Sequence, residues 1–294
     1  MPQAEIGIIG GSGLYNLPGI ERVRKVRIAT PFGKPSDAYV LGNLEGHKVA
    51  FLSRHGRGHV LLPTELNSRA NIYGFKKLGV ERIISVSAVG SLQEDYRPMD
   101  MALPAQFFDR TGQRVSTFFG NGLVAHISFD TPVCPTVVDV LAGACKDAGV
   151  RCHTGGTYVC MEGPAFSTRA ESQLHRSWKA TLIGMTALPE ARLAREAEIC
   201  YATIAMVTDF DCWHEDHADV EITAILKVLK ENTEKAGRLI AALAKSFPKE
   251  HEPCPIGSDH ALDHALITAR EARDPELLAK LDAVAGRVLR KSHK

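Results

Sequence analysis

Short apolar runs alternate with segments whose apolar residues recur every three to four positions, the pattern of strands interleaved with helices. Ile6–Ile9 is apolar and runs into Gly10-Gly11-Ser12-Gly13. Ala38–Leu41 and Val49–Leu52, separated by Gly42-Asn43 and Glu45-Gly46, read as a hairpin. Pro63-Thr64 opens a helix with Leu66, Ala70, Tyr73 and Phe75 on one face, closed by Gly79. Ile83–Val86, Thr157–Cys160, Leu182–Ile183 and Thr203–Val207 predict further strands, and Thr136–Ala148 a helix ending at Gly149. Ile222, Ile225, Leu226, Leu229, Ala236, Leu239 and Ile240 predict one long helix. Asp95–Val133 has no regular period and reads as hairpins and loops. The interleaving predicts an α/β fold around a mixed sheet.

Pro248, Pro253, Pro255 and Gly257 punctuate a polar linker. Two narrow helical stripes follow: Leu262, Ala265, Leu266 and Ala269, then Leu277, Leu281, Val284 and Val288. One domain is therefore expected over 1–247, and a linker with a helical extension over 248–294. The extension is too short to fold alone and is expected to pack on the body or on a neighbouring subunit, near the rim of the site.

Charge removes several function classes. The 294 residues carry 35 Lys+Arg against 34 Asp+Glu, a net charge of +1. Such a balance offers no global attraction to nucleic acid or to an anionic membrane. Aromatic residues, at 6%, are too sparse for a base-stacking platform. The seven cysteines are odd in number and lack CxxC spacing, which argues against a disulfide scaffold or a structural zinc site; no metal is expected. Met1–Gly11 contains Glu5 and no basic segment, so no signal peptide is expected, and no apolar run approaches a membrane span. A cytoplasmic location is the expectation.

Ligand sites in open α/β sheets collect beyond the carboxyl ends of strands. Six strand ends deliver glycines or polar groups: Gly10–Gly13, Ser53-Arg54-His55, Ser87-Ala88, Glu162–Ser167, Gly184-Met185-Thr186 and Thr208–Asp211. Ser12, Arg54, His55, Ser87 and Thr186 form a set of hydroxyls and cations suited to a small oxyanion. Asp209 and Asp211 suit a ligand rich in N–H donors, and Phe166 a flat ring. A cationic floor is thus expected to face an acidic end. Plainer readings stand beside these. GGSG lacks the GxGxxG spacing of a dinucleotide site and reads as a tight turn, so an NAD-dependent oxidoreductase rests on that turn alone. Arg54-His55 serves equally well as a structural salt bridge, and the two aspartates as caps. His214 and His217 are half a metal site without a third ligand. Phe166 could be core, and Ile222, Ile225 and Leu226 are core by default.

Together the segments IGIIGGSGL, TPFGKPSDA, LSRHGRGH, SAVGSL, EGPAFSTRAES, GMTALPEA and AMVTDFDCW resemble the trimeric purine nucleoside phosphorylases, in the branch acting on 5′-methylthioadenosine. The resemblance runs from about Ile6 to Phe247. It implies one α/β domain with a distorted, barrel-like mixed sheet, a homotrimer, and no cofactor, with inorganic phosphate as co-substrate. It implies phosphate contacts at Ser12, Arg54, His55, Ser87, Ala88 and Thr186. Nucleoside contacts fall at Met185, Phe166, Asp209 and Asp211, and at His126, lent across the trimer interface. Ser167 and Ile222 fall where subfamilies differ in specificity, and Ile222, Ile225 and Leu226 offer an apolar wall for a methylthio group.

The implied reaction is phosphorolysis of methylthioadenosine to adenine and 5-methylthioribose 1-phosphate. Asp209 is the expected acid for the purine, and Asp211 the acceptor for its exocyclic amine. Three departures from the family pattern stand out: Gly184 replaces an Asn before Met-Thr and is the one that bears on substrate preference, Ala165 replaces an Arg and loosens the loop holding Phe166, and Ser12 replaces a Thr, conservatively for phosphate binding. Competing readings are a 6-oxopurine nucleoside or methylthioinosine phosphorylase, and a nucleotide-binding module without catalysis.

Overall fold

The computed structural model describes residues 3–11, 19–214 and 222–290, of residues 222–227 the backbone only. At its centre lies β1 (Ile6–Gly10), every residue buried, paired in parallel with β4 (His47–Ser53) and β5 (Arg82–Ser91). Strands covered on both faces must be apolar throughout, which is why these segments read as continuous hydrophobic runs. Their side chains still alternate between two cores. Ile6, Ile8, Val49, Phe51 and Ile84 face one, with Val137 and Leu141 of α2 (Pro135–Asp147) and Leu239 and Leu243 of α5 (Ile222–Ser246). Ile9, Ala50, Leu52 and Ile83 face the other, with Ile72 and Phe75 of α1 (Ser68–Leu78) and Leu193 of α4 (Ala187–Glu196). Each such apolar side chain contributes roughly 1.5–3 kcal/mol on burial. At Gly7 a Cβ would meet the Phe75 ring at 2.8 Å, so the absence of a side chain lets α1 lie on the sheet.

The 11-stranded sheet is mixed. β2 (Glu21–Val26), β3 (Tyr39–Leu44) and β4 run antiparallel. β7 (Gln106–Arg110), β9 (Thr157–Met161) and β10 (Leu182–Gly184) are mutually parallel, and β10 meets β5 antiparallel. β5 also carries β11 (Cys200–Asp209), followed by β6 (Met101–Leu103) and β8 (Cys152–Thr154). The sheet therefore forks at β5 and does not close into a barrel. A single strand long enough to hold three partners replaces closure.

The apolar runs all become strands, and the hairpin and the helices ending at Gly79 and Gly149 form. α1 starts later than its pattern suggests: Pro63–Glu65 is a 3-10 turn, and Asn67 Oδ1 accepts from Ala70 N at 3.1 Å to cap the helix. Gly79 closes it in the left-handed conformation, φ 87°. β2 has no counterpart in the apolar pattern. Its sequence ERVRKV is largely exposed at the sheet's edge, where charge discourages pairing with other chains.

The extension departs from expectation in its first half. Leu262 and Ala265 are buried as expected, but the segment is not an α-helix. Ala125 and Leu266 form an isolated antiparallel bridge, with His126 N donating to Ala265 O and Ile267 N to Val124 O. Backbone pairing with the body satisfies groups that a helix would have satisfied internally. The second stripe does form helices, α6 (Pro275–Lys280) and α7 (Asp282–Arg290). Arg287 clamps α7 onto the body through Glu198, donating to its Oε2 at 2.7 Å, and ties the two halves of the extension together by donating to Asp263 Oδ1 at 2.6 Å. None of the described residues lining this chain's own large cavity, described below, comes from the extension. None of the described helices is long and apolar enough to cross a membrane.

One buried carboxyl makes stability depend on pH. Burial pushes Glu196 up to about 7, against hydrogen bonds from Phe118 N and Thr117 Oγ1, both at 2.7 Å. Between about 4.5 and 7 the folded chain holds a proton there that the unfolded chain has lost, so stability falls as pH rises through this window. Glu196→Gln mimics the protonated acid, its amide donating to Thr117 while its carbonyl accepts from Phe118. It is expected to raise the melting temperature at pH 8 and leave it nearly unchanged at pH 5. An equal effect at both values would show that ionisation is not the cause.

Candidate active site

The carboxyl ends of β1, β4, β5, β9, β10 and β11 converge on one cavity of about 460 Å³. Its lining includes Gly11, Arg54, His55, Ser87, Ala88, Phe166, Met185, Thr186, Asp209 and Asp211. The six strand ends singled out in the sequence therefore share a site, as the strand-end rule anticipates.

One end is polar. Ser87 Oγ, Thr186 Oγ1 and Tyr158 Oη are buried and have no hydrogen-bond partner among the described residues. Burial pushes the Tyr158 phenol up to about 12, so it is a neutral donor. Ser87 and Thr186 line the cavity, with Tyr158 packed behind them. Buried hydroxyls left unpaired cost free energy, so the two at the cavity end mark a place where a ligand supplies the partners. Gly184 has a structural reason: a Cβ there would run into Tyr158 Oη. The tyrosine hydroxyl occupies the space that a side chain at 184 would take.

The expected cationic floor is not what forms. Arg54 is fully buried and is paired with Glu190, Nε donating to Oε1 at 2.6 Å and Nη2 to Oε2 at 3.1 Å. Nη2 also donates to Ser85 Oγ at 2.7 Å, and Nη1 to Val86 O at 2.9 Å. Five N–H donors less these bonds leave at most one, on Nη1, for a ligand. His55 is uncharged: burial, and then the neighbouring Arg54, lower it to about 4. Its Nδ1 lies 2.8 Å from Leu61 O, which only a protonated Nδ1 can satisfy, so Nε2 keeps its lone pair. The His59 ring stacks on it at 4.2 Å. The floor is built of neutral donors and one neutralised guanidinium.

The opposite end carries the aspartates. Register between β11 and β5 shifts after Val207, and this bulge re-aims the strand end. The buried Asn232 holds it, Nδ2 donating to Val207 O at 2.9 Å. Asp209 Oδ1 accepts from Asp211 N at 2.8 Å, and Oδ2 lies 2.7 Å from Thr208 Oγ1. Burial raises Asp209, outweighing these bonds. Thr208 Oγ1 also lies 3.1 Å from Val89 O. One hydroxyl hydrogen cannot serve both acceptors. A protonated Asp209 resolves the conflict by donating to Thr208, which then donates to Val89. Burial raises Asp211 too, and its Oδ2 is buried without a partner. Phe166 lines the mouth and is 50% exposed, so it is not core.

Several expected residues stand apart. Ser12 lies outside the described residues, as does His217; His214 pairs with Glu94 at 3.3 Å. Ile222, Ile225 and Leu226 are helical, but their side chains lie outside what is described; the wall that α5 contributes is seen at Leu229 and Thr233. Ser167 does not line the cavity; its carbonyl accepts from Cys212 Sγ. His126 is exposed and away from this chain's own cavity. Sequence reasoning missed Glu190, Tyr158 and Arg114. Arg114 pairs with Glu162 at 2.9 Å and donates to the carbonyls of Met161, Met185 and Leu188, fixing two site loops at once. The only sequence signal for it was an arginine in an irregular stretch.

The model of the phosphorylase superfamily matches residues 5–245. The chain belongs to that superfamily, and so is a pentosyltransferase of purine nucleoside phosphorylase type. Within it, the chain belongs to the S-methyl-5′-thioadenosine phosphorylase family. A relative of that name from Koribacter versatilis is 59% identical over 285 residues, covering 97% of each chain. Another, from Bradyrhizobium diazoefficiens, is 57% identical over 290 residues, covering 99% of this chain and all of its own. The crystal structure of a methylthioadenosine phosphorylase from an antarctic soil metagenomic library superposes with a TM-score of 0.92 at 50% identity, covering 97% of this chain and 99% of its own. A variant adenosine/methylthioadenosine phosphorylase from Schistosoma mansoni, solved with methylthioadenosine, gives 0.78 at 34% identity, covering 82% of this chain and 90% of its own.

Proposed function

We propose that this chain cleaves S-methyl-5′-thioadenosine with inorganic phosphate, giving adenine and 5-methylthioribose 1-phosphate. The observation that carries the reading is the pairing of unmet needs across one cavity. An unpartnered oxygen of Asp211 waits at one end, and the unpartnered hydroxyls of Ser87 and Thr186 at the other. The first suits the exocyclic amine of adenine, the second a phosphate.

Breaking the glycosidic bond leaves positive charge on the ribose, as in glycoside hydrolysis. Phosphate held beneath C1′ stabilises that charge and then attacks it. The neutral hydroxyls, Gly11, and the remaining Arg54 N–H hold the phosphate oxygens without cancelling the charge that the sugar needs. His55 Nε2, a lone-pair acceptor, accepts a hydrogen bond from the P–OH of the monohydrogen phosphate dianion, which keeps its proton and turns its bare oxygens toward the sugar. Asp209, whose acid form burial favours, gives N7 the proton that makes adenine a good leaving group. Phe166 covers the purine and Leu229 lies on the apolar wall. Ser12 completes the phosphate site, and Ile222, Ile225 and Leu226 the wall. His126 reaches the 5′ end of a neighbouring subunit's nucleoside in a homotrimer, with 1–247 forming the phosphorylase domain and 248–294 an extension.

An Asp acceptor mismatched with the lone pairs of a 6-oxo group costs about 1–3 kcal/mol. Methylthioadenosine is therefore expected to exceed inosine in kcat/KM by roughly 5- to 150-fold. Equal values would favour a 6-oxopurine phosphorylase. Ser87→Ala removes a cavity-lining hydroxyl with no hydrogen-bond partner among the described residues, so it is expected to leave the melting temperature nearly unchanged. KM for phosphate is expected to rise by about 2- to 10-fold, the worth of one neutral hydrogen bond. An unchanged KM would take Ser87 out of the phosphate site.

A further inference from the structure

A second buried cavity lies away from the phosphorylase site, between α2, the start of β11 and the extension. Cys134, the residue capping α2, Cys200, the first residue of β11, and Cys254 of the extension meet there. All three are buried, and their sulfurs lie within 4.8 Å of one another, Cys134 and Cys254 at 3.5 Å. That separation far exceeds a disulfide bond of ~2.05 Å. It brackets the ~3.8 Å between two thiolates that share a tetrahedral ion at ~2.3 Å.

His251 lines the same cavity. Both of its ring nitrogens are buried and make no hydrogen bond, Nε2 standing 3.4 Å from Asp259 Oδ2. The ligand atoms that lie within 4.8 Å of one another are the three sulfurs alone, so the imidazole of His251 reaches an ion held among them only by turning further into the cavity; Asp259 stands where an outer carboxylate would orient it. Arg82 lines the cavity as well, and Arg195 lies close enough to interact with the cysteines electrostatically.

We propose that Cys134, Cys200, Cys254 and His251 bind one zinc ion, which pins the extension to the body. Lack of CxxC spacing is no obstacle, because the ligands come from three elements that only folding brings together. Binding releases three thiol protons and leaves a site of net charge −1, offset by Arg82 and Arg195. The ion supplies no chemistry to the phosphorylase reaction; its effect is on the docking of residues 251–260.

The test uses the untagged full-length protein purified without chelator. Elemental analysis is expected to find about one zinc per chain, falling at least about tenfold in Cys254→Ser and substantially in His251→Gln. Replacement by Co²⁺ is expected to give thiolate charge-transfer and tetrahedral d–d absorption. Chelation is expected to lower the melting temperature and to open the extension to protease. Protein that stays metal-free after zinc is offered, gives no cobalt spectrum and titrates all seven thiols unchanged overturns the proposal. So does a disulfide among the three cysteines, or zinc content that survives in His251→Gln and Cys254→Ser alike. The cobalt spectrum of the unmutated chain decides the matter even where Cys254→Ser fails to fold.

Discussion

Replacing Asp209 by Asn is expected to lower kcat for methylthioadenosine by about 10²- to 10⁴-fold while KM changes little. The substitution spares the local structure. An Asn carbonyl accepts from Asp211 N as Oδ1 does, and its amide donates to Thr208 Oγ1, as the protonated acid does. What is lost is a transferable proton. The sign of the pH dependence follows from the direction of the shift. Burial raises Asp209, so the acid form persists above the ordinary carboxyl range and is lost as pH climbs through the raised value. Wild-type kcat should therefore decline on the alkaline side, and the Asn variant should lack that limb. Near-wild-type turnover would remove Asp209 from the acid role.

The second large effect belongs to a residue that touches no substrate. Glu190→Ala leaves the Arg54 guanidinium buried without a counter-charge, and removal of one partner of such a pair costs about 3–5 kcal/mol. Tyr201 Oη, which donates to Glu190 Oε2 at 3.3 Å, would lose that acceptor and keep only the bond it accepts from Thr203 Oγ1. The double variant Glu190→Ala with Arg54→Met is expected to recover much of the lost stability but little activity. The ion pair then serves stability, and the remaining Arg54 N–H serves phosphate. Denaturant unfolding separates the two. A Glu190→Ala cost under about 0.5 kcal/mol would mean that water reaches the guanidinium.

The contrast between Arg54 and the aspartates explains what was legible in the sequence. Strands buried on both faces are continuous apolar runs, so their ends can be read, and with them Arg54, His55, Ser87, Thr186, Asp209 and Asp211. The state of those residues depends on partners far along the chain. Glu190 lies 136 positions from Arg54, inside an unpredicted helix, and it converts an expected cationic floor into a neutral one. Tyr158 reads as an interior strand residue until the bare Cα of Gly184 is seen against its hydroxyl. The fold shows the same division. β2 escaped notice because an exposed, charged edge strand has no apolar period. Leu262 and Ala265 had the right burial in the wrong element, because the 124–126 segment offered backbone partners that periodicity does not reveal. The cysteine cluster was invisible for the same reason.

Adenine release from methylthioadenosine, followed while phosphate is titrated from zero, tests the central claim most directly. The account predicts no turnover without phosphate, saturation as phosphate is added, and one 5-methylthioribose 1-phosphate formed per adenine. Adenine released at an undiminished rate without phosphate, or bound methylthioadenosine left intact at saturating phosphate, would contradict it.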